Sequence, residues 1–176
     1  MLQTLSTPGD TSWFVKARFG MFIHWGLYSL ASRHEWVQMI EKMGPEVYRK
    51  YFDRFDPDLY DPQLWVDTAA YAGMKYFVIT TKHHEGFAMW DSQFTDYKVT
   101  RTPYGRDVLG PMVKAFNERG LRTGFYHSLI DWHHPDFWVD HNHPLRDQLP
   151  GKPGPDGQPI TADINAGRDQ SRYTAC

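Results

Sequence analysis

The stretch VITTKHHEGFAMW, residues 78–90, decides the fold, because an apolar run passes without a break into a dense polar group. Its first part belongs to KYFVITTK, residues 75–82, whose apolar core lacks the polar alternation of a half-exposed strand. Strands of parallel sheets that are covered on both faces read this way. The polar group that follows contains Lys82, His83, His84 and Glu85. Since ligands bind at the carboxyl ends of strands in parallel α/β folds, this stretch predicts a buried strand that ends in a functional site.

Two further strands and two helices are predicted around this one. RFGMFIHWG, residues 18–26, and LRTGFYHS, residues 121–128, are short apolar runs that we assign to the first and third strands. The helices are DPQLWVDTAAYAGM, residues 61–74, and RDVLGPMVKAFNERG, residues 106–120. Strands that alternate with helices favour parallel pairing with right-handed crossovers. We therefore expect an α/β protein with about three parallel strands.

The two helices carry recognisable start and stop signals. In the first, Asp61 is placed as the N-cap, Pro62 stands at the first helical position and Gly73 ends the helix. The face that we expect to be buried there comprises Leu64, Trp65, Ala69 and Ala72. The second helix has an apolar stripe formed by Val108, Leu109, Met112, Val113 and Phe116.

Residues 1–176 are interpreted as one domain, with long connections between its elements. Residues 29–55 form an excursion after the first strand, with one or two short helices. Residues 141–160 are rich in Pro and Gly and are predicted to be a loop within the domain, and long loops of this kind are often functional. Residues 168–176 look like the opening of another helix.

The composition excludes several classes of protein. The net charge is −2 and there is no basic run, so neither nucleic acid nor an acidic membrane is an expected partner. The one cysteine, Cys176, rules out a disulfide framework and a cysteine metal cage. No apolar run reaches the length of a membrane span, and the first residues lack a signal pattern. We expect a soluble, cytoplasmic protein.

Ring-bearing side chains follow each predicted strand. His24 and Trp25 follow the first, the His83–His84 pair follows the second, and Tyr126 and His127 end the third. Aromatic residues make up 16% of the chain, which suits either a core of large rings or a carbohydrate site. The repeated placement of histidines at strand ends favours the site.

A metal-dependent hydrolase is a weaker interpretation. The segment DWHHPDFWVDHNH, residues 131–143, offers many potential ligands, which are Asp131, His133, His134, Asp136, Asp140, His141 and His143. Their spacing fits no standard metal site, and HHEGF lacks the second histidine that a zinc-protease helix needs. No Gly-x-Ser-x-Gly elbow, phosphate loop or dinucleotide fingerprint is present either. We expect no metal and no cofactor.

The motifs WFVKARFGMFIHWGLYS, KYFVITTKHHEGFAMWDS and TPYGRDVLGPMVKAFNERGLRTGFYHSLIDWHHPDF, with EW and SRYT, resemble the N-terminal part of the α-L-fucosidases of glycoside hydrolase family twenty-nine. The resemblance covers nearly the whole chain. It implies a (β/α)₈ barrel like that of triosephosphate isomerase and hydrolysis of α-L-fucosides or fucosylated glycans with retention, releasing L-fucose. It also implies a fucose-binding role for these residues: His24, Glu35, Trp36, His83, His84 and Tyr126.

The resemblance also implies which catalytic groups the family uses. Retention needs two carboxyl groups roughly 5 Å apart, and the family nucleophile is an aspartate in a Trp-x-Asp-Gly motif that this sequence lacks. We therefore expect an incomplete barrel, with Glu35 as the first candidate for a catalytic carboxylate and Glu85 and Asp131 as weaker ones. Activity is expected to be weak or to depend on a homo-oligomer that completes the open barrel. The alternative is a fucose-binding fragment without catalysis.

Overall fold

A three-stranded parallel sheet is the centre of the molecule. The computed structural model describes residues 11–174. The strands are β1 (Met21–Ile23), β2 (Tyr76–Lys82) and β3 (Arg122–His127), and they lie in the order β1-β2-β3. Both pairings are parallel, as the sequence predicts. The α/β class with three parallel strands is therefore confirmed.

Short helices fill the connections between the strands. In chain order they are α1 (Ser12–Ala17), α2 (Tyr28–Ala31), α3 (Val37–Ile40), α4 (Pro45–Phe52), α5 (Pro62–Tyr71), α6 (Leu109–Glu118) and α7 (Gln170–Thr174). Two further 3₁₀ turns span Val99–Arg101 and Arg146–Gln148. The excursion after β1 thus contains α2, α3 and α4. The predicted last helix is present as α7, and its final two residues lie outside the described part.

The middle strand is buried because its neighbours and two helices cover it. Phe77 and Ile79 are fully buried. The ring of Phe77 lies 3.8 Å from that of Phe116 on α6, and Val66 and Ala69 are the buried residues of α5. Full burial of each large apolar side chain stabilises the fold by roughly 1.5–3 kcal/mol, so the contact between Phe77 and Phe116 holds α6 on the sheet, and α5 packs beside α6.

Helix α5 begins as predicted but turns a different face to the core. The Asp61 carboxylate accepts hydrogen bonds from the backbone of Gln63 (2.9 Å) and Leu64 (3.1 Å), as an N-cap should. Leu64 and Ala72, which we expected to be buried, are exposed. The predicted face is therefore partly wrong, because the buried residues are the i, i+3 pair Val66 and Ala69 instead.

Helix α6 matches its predicted stripe more closely. Leu109, Met112 and Phe116 are buried and Val113 is half-buried. Asp107 caps its start by accepting from the backbone N–H of Leu109 at 2.8 Å. The stripe is a good predictor because α6 packs its apolar face on the sheet, with Phe116 on Phe77 of β2 and Val113 beside Phe125 of β3.

The Pro- and Gly-rich segment, residues 141–160, is a loop with one 3₁₀ turn, and it packs on the excursion after β1. The guanidinium of Arg146 donates to the Met39 carbonyl at 2.5 Å. Asp147 pairs with Lys42 at 2.5 Å, at the end of α3. These two links position the loop beside the short helices.

The outer strands each pair on one side only within the described residues. Phe22 on β1 is 50% exposed and Phe125 on β3 is 58% exposed, although both belong to the sheet. No helix in residues 11–174 has the length and apolar character needed to cross a bilayer.

Candidate functional site

The parallel register brings the ends of the three strands to one edge of the sheet. Ile23, Ile79 and Phe125 lie level across the strands, so the residues that follow them meet at that edge. The rings of His24 and His83 are 5.8 Å apart. We call the cluster of His24, His83, His84 and Tyr126 the ring cluster.

Tyr126 and His83 contact each other within the ring cluster. Their rings stack with centroids 5.6 Å apart, and Tyr126 lies 6.2 Å from His24. Tyr28 packs its edge on His83 at 5.4 Å and its hydroxyl bonds to Thr80 at 3.1 Å. These contacts join the loop after β1 to the strand β2.

His84 is held on the opposite side by two tryptophans. Trp36 packs against its ring at 4.8 Å and Trp132 at 5.3 Å. The Nδ1 atom of His84 lies 2.6 Å from Oγ of Ser128, and that hydroxyl donates to the carbonyl of Ile130 at 2.7 Å. Since a hydroxyl has one proton to give, Ser128 must accept from Nδ1–H of His84. The neutral ring therefore presents Nε2 as an acceptor.

Burial favours the neutral form of two histidines of the site, His24 and His84. It lowers the pKa of His84 to about 4, helped by the neighbouring His83 and opposed by the Glu35 carboxylate. Burial also lowers the pKa of His24, again against the effect of Glu35. At neutral pH these rings can both donate and accept hydrogen bonds, as the binding of sugar hydroxyls requires.

Glu35 approaches the ring cluster from the turn before α3. Its side chain is half-buried, and it acts electrostatically on His24 and His84. Within residues 11–174 its carboxylate has no hydrogen-bond or ion-pair partner. It is therefore free to bind a ligand at the ring cluster.

Glu85 is placed differently from the sequence-based expectation of a reacting carboxylate. Its side chain is 2% exposed and lies beneath His83, with Oε2 3.6 Å from Nδ1 of that ring. Burial raises the pKa of the Glu85 carboxyl, and the neighbouring His83 opposes this effect. A group sealed in this way cannot contact a substrate without rearrangement of the loop.

Asp131 is occupied by structural bonds. Its carboxylate pairs with Lys82 at 2.9 Å and accepts from the backbone of His133 and His134, each at 3.0 Å. These contacts fix the loop after β3, which carries Trp132. They weigh against Asp131 as a reacting group.

His127 does not join the ring cluster, contrary to the grouping that the sequence suggests. Its Nδ1 bonds to the Thr81 hydroxyl at 3.0 Å and its ring lies 5.7 Å from Trp90. Successive side chains of a strand point to opposite faces, so Tyr126 and His127 cannot share one. His127 faces α6 instead.

The segment of residues 131–143 does not assemble a metal centre in the described part of the chain, where no three His, Cys, Asp or Glu side chains are arranged around one point. His133 stacks on Tyr97 at 3.9 Å. His134 and His143 accept from backbone N–H groups within their own turns. These histidines make stacking contacts and hydrogen bonds that stabilise the loop.

The sequence analysis missed Tyr28, Ser128 and Trp132 as parts of the site. The position of Ser128 directly after β3 was an available signal, since it corresponds to that of the polar group after β2. Tyr28 reaches the site from the start of α2 and Trp132 from the loop after β3, and no local sequence pattern predicts such an approach.

The buried histidines His84 and His143 predict a pH dependence of stability. Burial is the main cause that lowers the pKa of each to about 4, from the ordinary histidine value of 6.5. The unfolded chain therefore takes up protons first as the pH falls, and the stability that these groups contribute above pH 6.5 is lost towards pH 4. By linkage each loses about 2 kcal/mol at pH 5.

Urea unfolding between pH 7 and pH 5 measures this loss. His143→Asn keeps an acceptor for the Leu145 N–H and should reduce the pH dependence by the share that His143 contributes. His141→Asn, at an exposed histidine, should leave it unchanged. Equal slopes in the wild type and in His143→Asn would show that His143 does not titrate as described.

Comparisons with known proteins agree on one family. The sequence model described as Alpha-L-fucosidase matches residues 3–150. The human tissue alpha-L-fucosidase is 33% identical over 154 residues, which cover 78% of this chain and 33% of the human protein. The chain thus spans about a third of the length of the curated relatives it matches.

Two solved structures show the same likeness. The alpha-L-fucosidase isoenzyme 1 of Paenibacillus thiaminolyticus is 47% identical, with a TM-score of 0.80 over 93% of this chain and 37% of its own. An alpha-L-fucosidase of Bacteroides thetaiotaomicron, trapped as a covalent intermediate in complex with 2-fluoro-fucosyl fluoride, is 34% identical, with a TM-score of 0.73 over 92% of this chain and 35% of its own. The sheet and its helices therefore match part of a fucosidase catalytic domain.

Proposed function

The chain belongs to the alpha-L-fucosidase family, and from this membership we propose that it binds and hydrolyses α-L-fucosides. The observation that carries the proposal is the convergence of His24, His83, His84 and Tyr126 at the carboxyl ends of the parallel strands, with Glu35 beside them. Fucosides and fucosylated glycans are the substrates that such a site suits.

The chemistry of the site fits a deoxy sugar. His24 and His83 can bond to hydroxyl groups as donors or acceptors, and His84 accepts through Nε2. The Glu35 carboxylate accepts from a hydroxyl more strongly than a neutral group would. The faces of Trp36 and Tyr126 offer apolar surface to the C–H groups and methyl group of fucose.

The covalent intermediate of the Bacteroides relative is that of a retaining route, and we propose that this chain forms part of a site of that kind. That route needs a nucleophile and an acid/base roughly 5 Å apart. Of the three candidates in this chain, Glu35 alone combines partial exposure with an unpartnered carboxylate, and it is our choice for proton transfer. The other two candidates are not free to act as the nucleophile in the described structure, so turnover by this chain alone is expected to be slow.

Fucose binding without turnover is the second candidate function. It is favoured by the same observation, since Glu85 is sealed beneath His83 and Asp131 is bonded to Lys82. A chain with one available carboxylate can hold a sugar through hydrogen bonds without cleaving its glycosidic bond.

Release of nitrophenol from nitrophenyl α-L-fucoside by the purified chain separates the two functions. Hydrolysis at a rate above that of buffer, with L-fucose as product, supports the enzyme. The anomer formed first tests the retaining route, since direct attack by water would invert it. Binding of L-fucose with no release of nitrophenol would establish the second function.

We further propose that the sheet belongs to a (β/α)₈ barrel and that chains associate as a homo-oligomer. Unpaired strand edges and exposed apolar faces drive association. Both are found here, since Phe22 and Phe125 are half-exposed. A groove of about 490 Å³ beside β3 is lined by Phe125, Trp90, Leu109 and Val113. A second copy of the chain would cover this surface.

The substitution Phe125→Asp is expected to shift the chain towards monomer, because a carboxylate in the groove would have to be desolvated on association. Analytical ultracentrifugation over a range of concentrations measures the shift. Tyr71→Asp is the matched control, since Tyr71 is 95% exposed on α5 and does not line the groove. A compact wild-type monomer at all concentrations would contradict the oligomer.

A further inference from the structure

Two buried polar atoms beneath the ring cluster lack a hydrogen-bond partner. They are Nδ1 of His83 and Oε2 of Glu85, in side chains that are 3% and 2% exposed. Buried polar atoms are rarely left unpaired, because each unpaired atom has lost its hydrogen bonds to water without a replacement. These two lie 3.6 Å apart, just beyond hydrogen-bond distance, so a small adjustment satisfies both at once.

The backbone holds the two side chains in this relation. The N–H of Gly86 donates to the carbonyl of His83 at 3.1 Å, and this tight turn places Glu85 beneath the ring. The Glu85 carboxylate packs against Gly26 in the loop after β1, where a side-chain Cβ would lie 2.8 Å from Oε1. A glycine at this position therefore leaves the space that the carboxylate fills.

The ring of His83 has little freedom to turn away. It packs on His84 at 4.3 Å, on Tyr28 at 5.4 Å and on Tyr126 at 5.6 Å. Its Nδ1 is thereby directed to the interior. Nε2 of the same ring is not among the buried unpartnered atoms and is the nitrogen left for a ligand.

We propose that Glu85 is a positioning residue, whose carboxylate holds the proton of His83 on Nδ1 and so leaves Nε2 as an acceptor for a sugar hydroxyl. A carboxylate that accepts from Nδ1–H is a common way to fix the tautomer of a histidine. The inference rests on the proposed binding of α-L-fucosides and assigns a role to a group that does not touch the sugar.

The arrangement at His84 supports this assignment. There Ser128 accepts from Nδ1–H, so Nε2 of His84 is also an acceptor. With the Glu85 carboxylate accepting from Nδ1–H of His83, both adjacent rings present Nε2 as a hydrogen-bond acceptor. Neighbouring sugar hydroxyls can then donate to both, and each hydroxyl oxygen stays free to accept from another group.

The tautomer of His83 can be read directly from long-range proton–nitrogen correlation spectra of the isotope-labelled full chain near neutral pH. We expect the wild type to carry the proton on Nδ1. Glu85→Leu should move it to Nε2, the nitrogen that carries it in free neutral histidine. Glu85→Gln keeps the shape of the side chain and should raise the Nε2-protonated fraction, because an amide stabilises Nδ1–H less than a carboxylate does. Glu46→Gln, at an exposed carboxylate on α4, should change nothing.

Titration of the same samples with L-fucose gives the second readout. Loss of one well-placed acceptor should raise the dissociation constant about tenfold in Glu85→Leu. A wild-type proton on Nε2, or the same tautomer in all variants, would overturn the assignment, and so would a changed tautomer with unchanged affinity. If the wild type does not bind L-fucose, the proposed function fails, whereas the tautomer still tests the contact between Glu85 and His83.

Discussion

Glu35→Gln is expected to lower the rate of nitrophenol release from nitrophenyl α-L-fucoside by at least about 100-fold, the lower range for loss of a general acid or base. The amide keeps the size of the side chain but cannot exchange a proton. Because Glu35 is half-buried and has no partner within the described residues, the change should leave the fold intact. The near-ultraviolet circular dichroism of the variant should match that of the wild type.

Glu46→Gln is the control for this loss, since it removes an exposed carboxylate from α4. It should retain the wild-type rate. Equal rates for Glu35→Gln and the wild type would remove Glu35 from the chemistry. An increase in KM with unchanged kcat would place Glu35 in substrate binding alone.

Gly86→Ala is expected to destabilise the chain by about 3 kcal/mol or more. Gly86 has φ of +80°, which strains any residue with a side chain by roughly 1–2 kcal/mol. An added Cβ would also overlap the carboxylate of Asp131 and lie 2.8 Å from Cβ of His133, and overpacking of this kind costs roughly 1–3 kcal/mol. The displaced Asp131 would weaken its bond to Lys82.

Gly73→Ala separates the two effects. Gly73 has nearly the same φ, +85°, but an added Cβ there meets nothing within 4 Å. Its loss should be about 1 kcal/mol, from backbone strain alone. Urea unfolding followed by tryptophan fluorescence measures both variants. Equal losses would show that the contact between Gly86 and Asp131 contributes nothing to stability.

The local features of the fold could be predicted because each depends on a few adjacent residues. The apolar run of β2, the Asp61 cap and the stop at Gly73 are signals of this kind. The buried face of α5 could not be predicted so well, since the choice between Leu64 and Val66 depends on what packs against the helix. Sequence periodicity narrows the possible buried faces of α5 but does not determine which of them is buried.

The residues that form the site could be predicted from the sequence better than the role that each of them has there. The strand ends locate His24 and the His83–His84 pair, because parallel strands end at one edge. Strand alternation should have separated His127 from Tyr126. The burial of Glu85 could not be foreseen, since it depends on the space left by Gly26, fifty-nine positions earlier in the sequence.

The most direct test is to titrate the isotope-labelled chain with L-fucose and follow the side-chain signals of His24, His83, His84 and Trp36. D-fucose, its mirror image, is the control with the same functional groups. Binding at the ring cluster predicts saturable shifts of these four signals with L-fucose and none with D-fucose. Absence of shifts at saturating L-fucose, or equal shifts with both sugars, would contradict a fucose site at the ends of these strands.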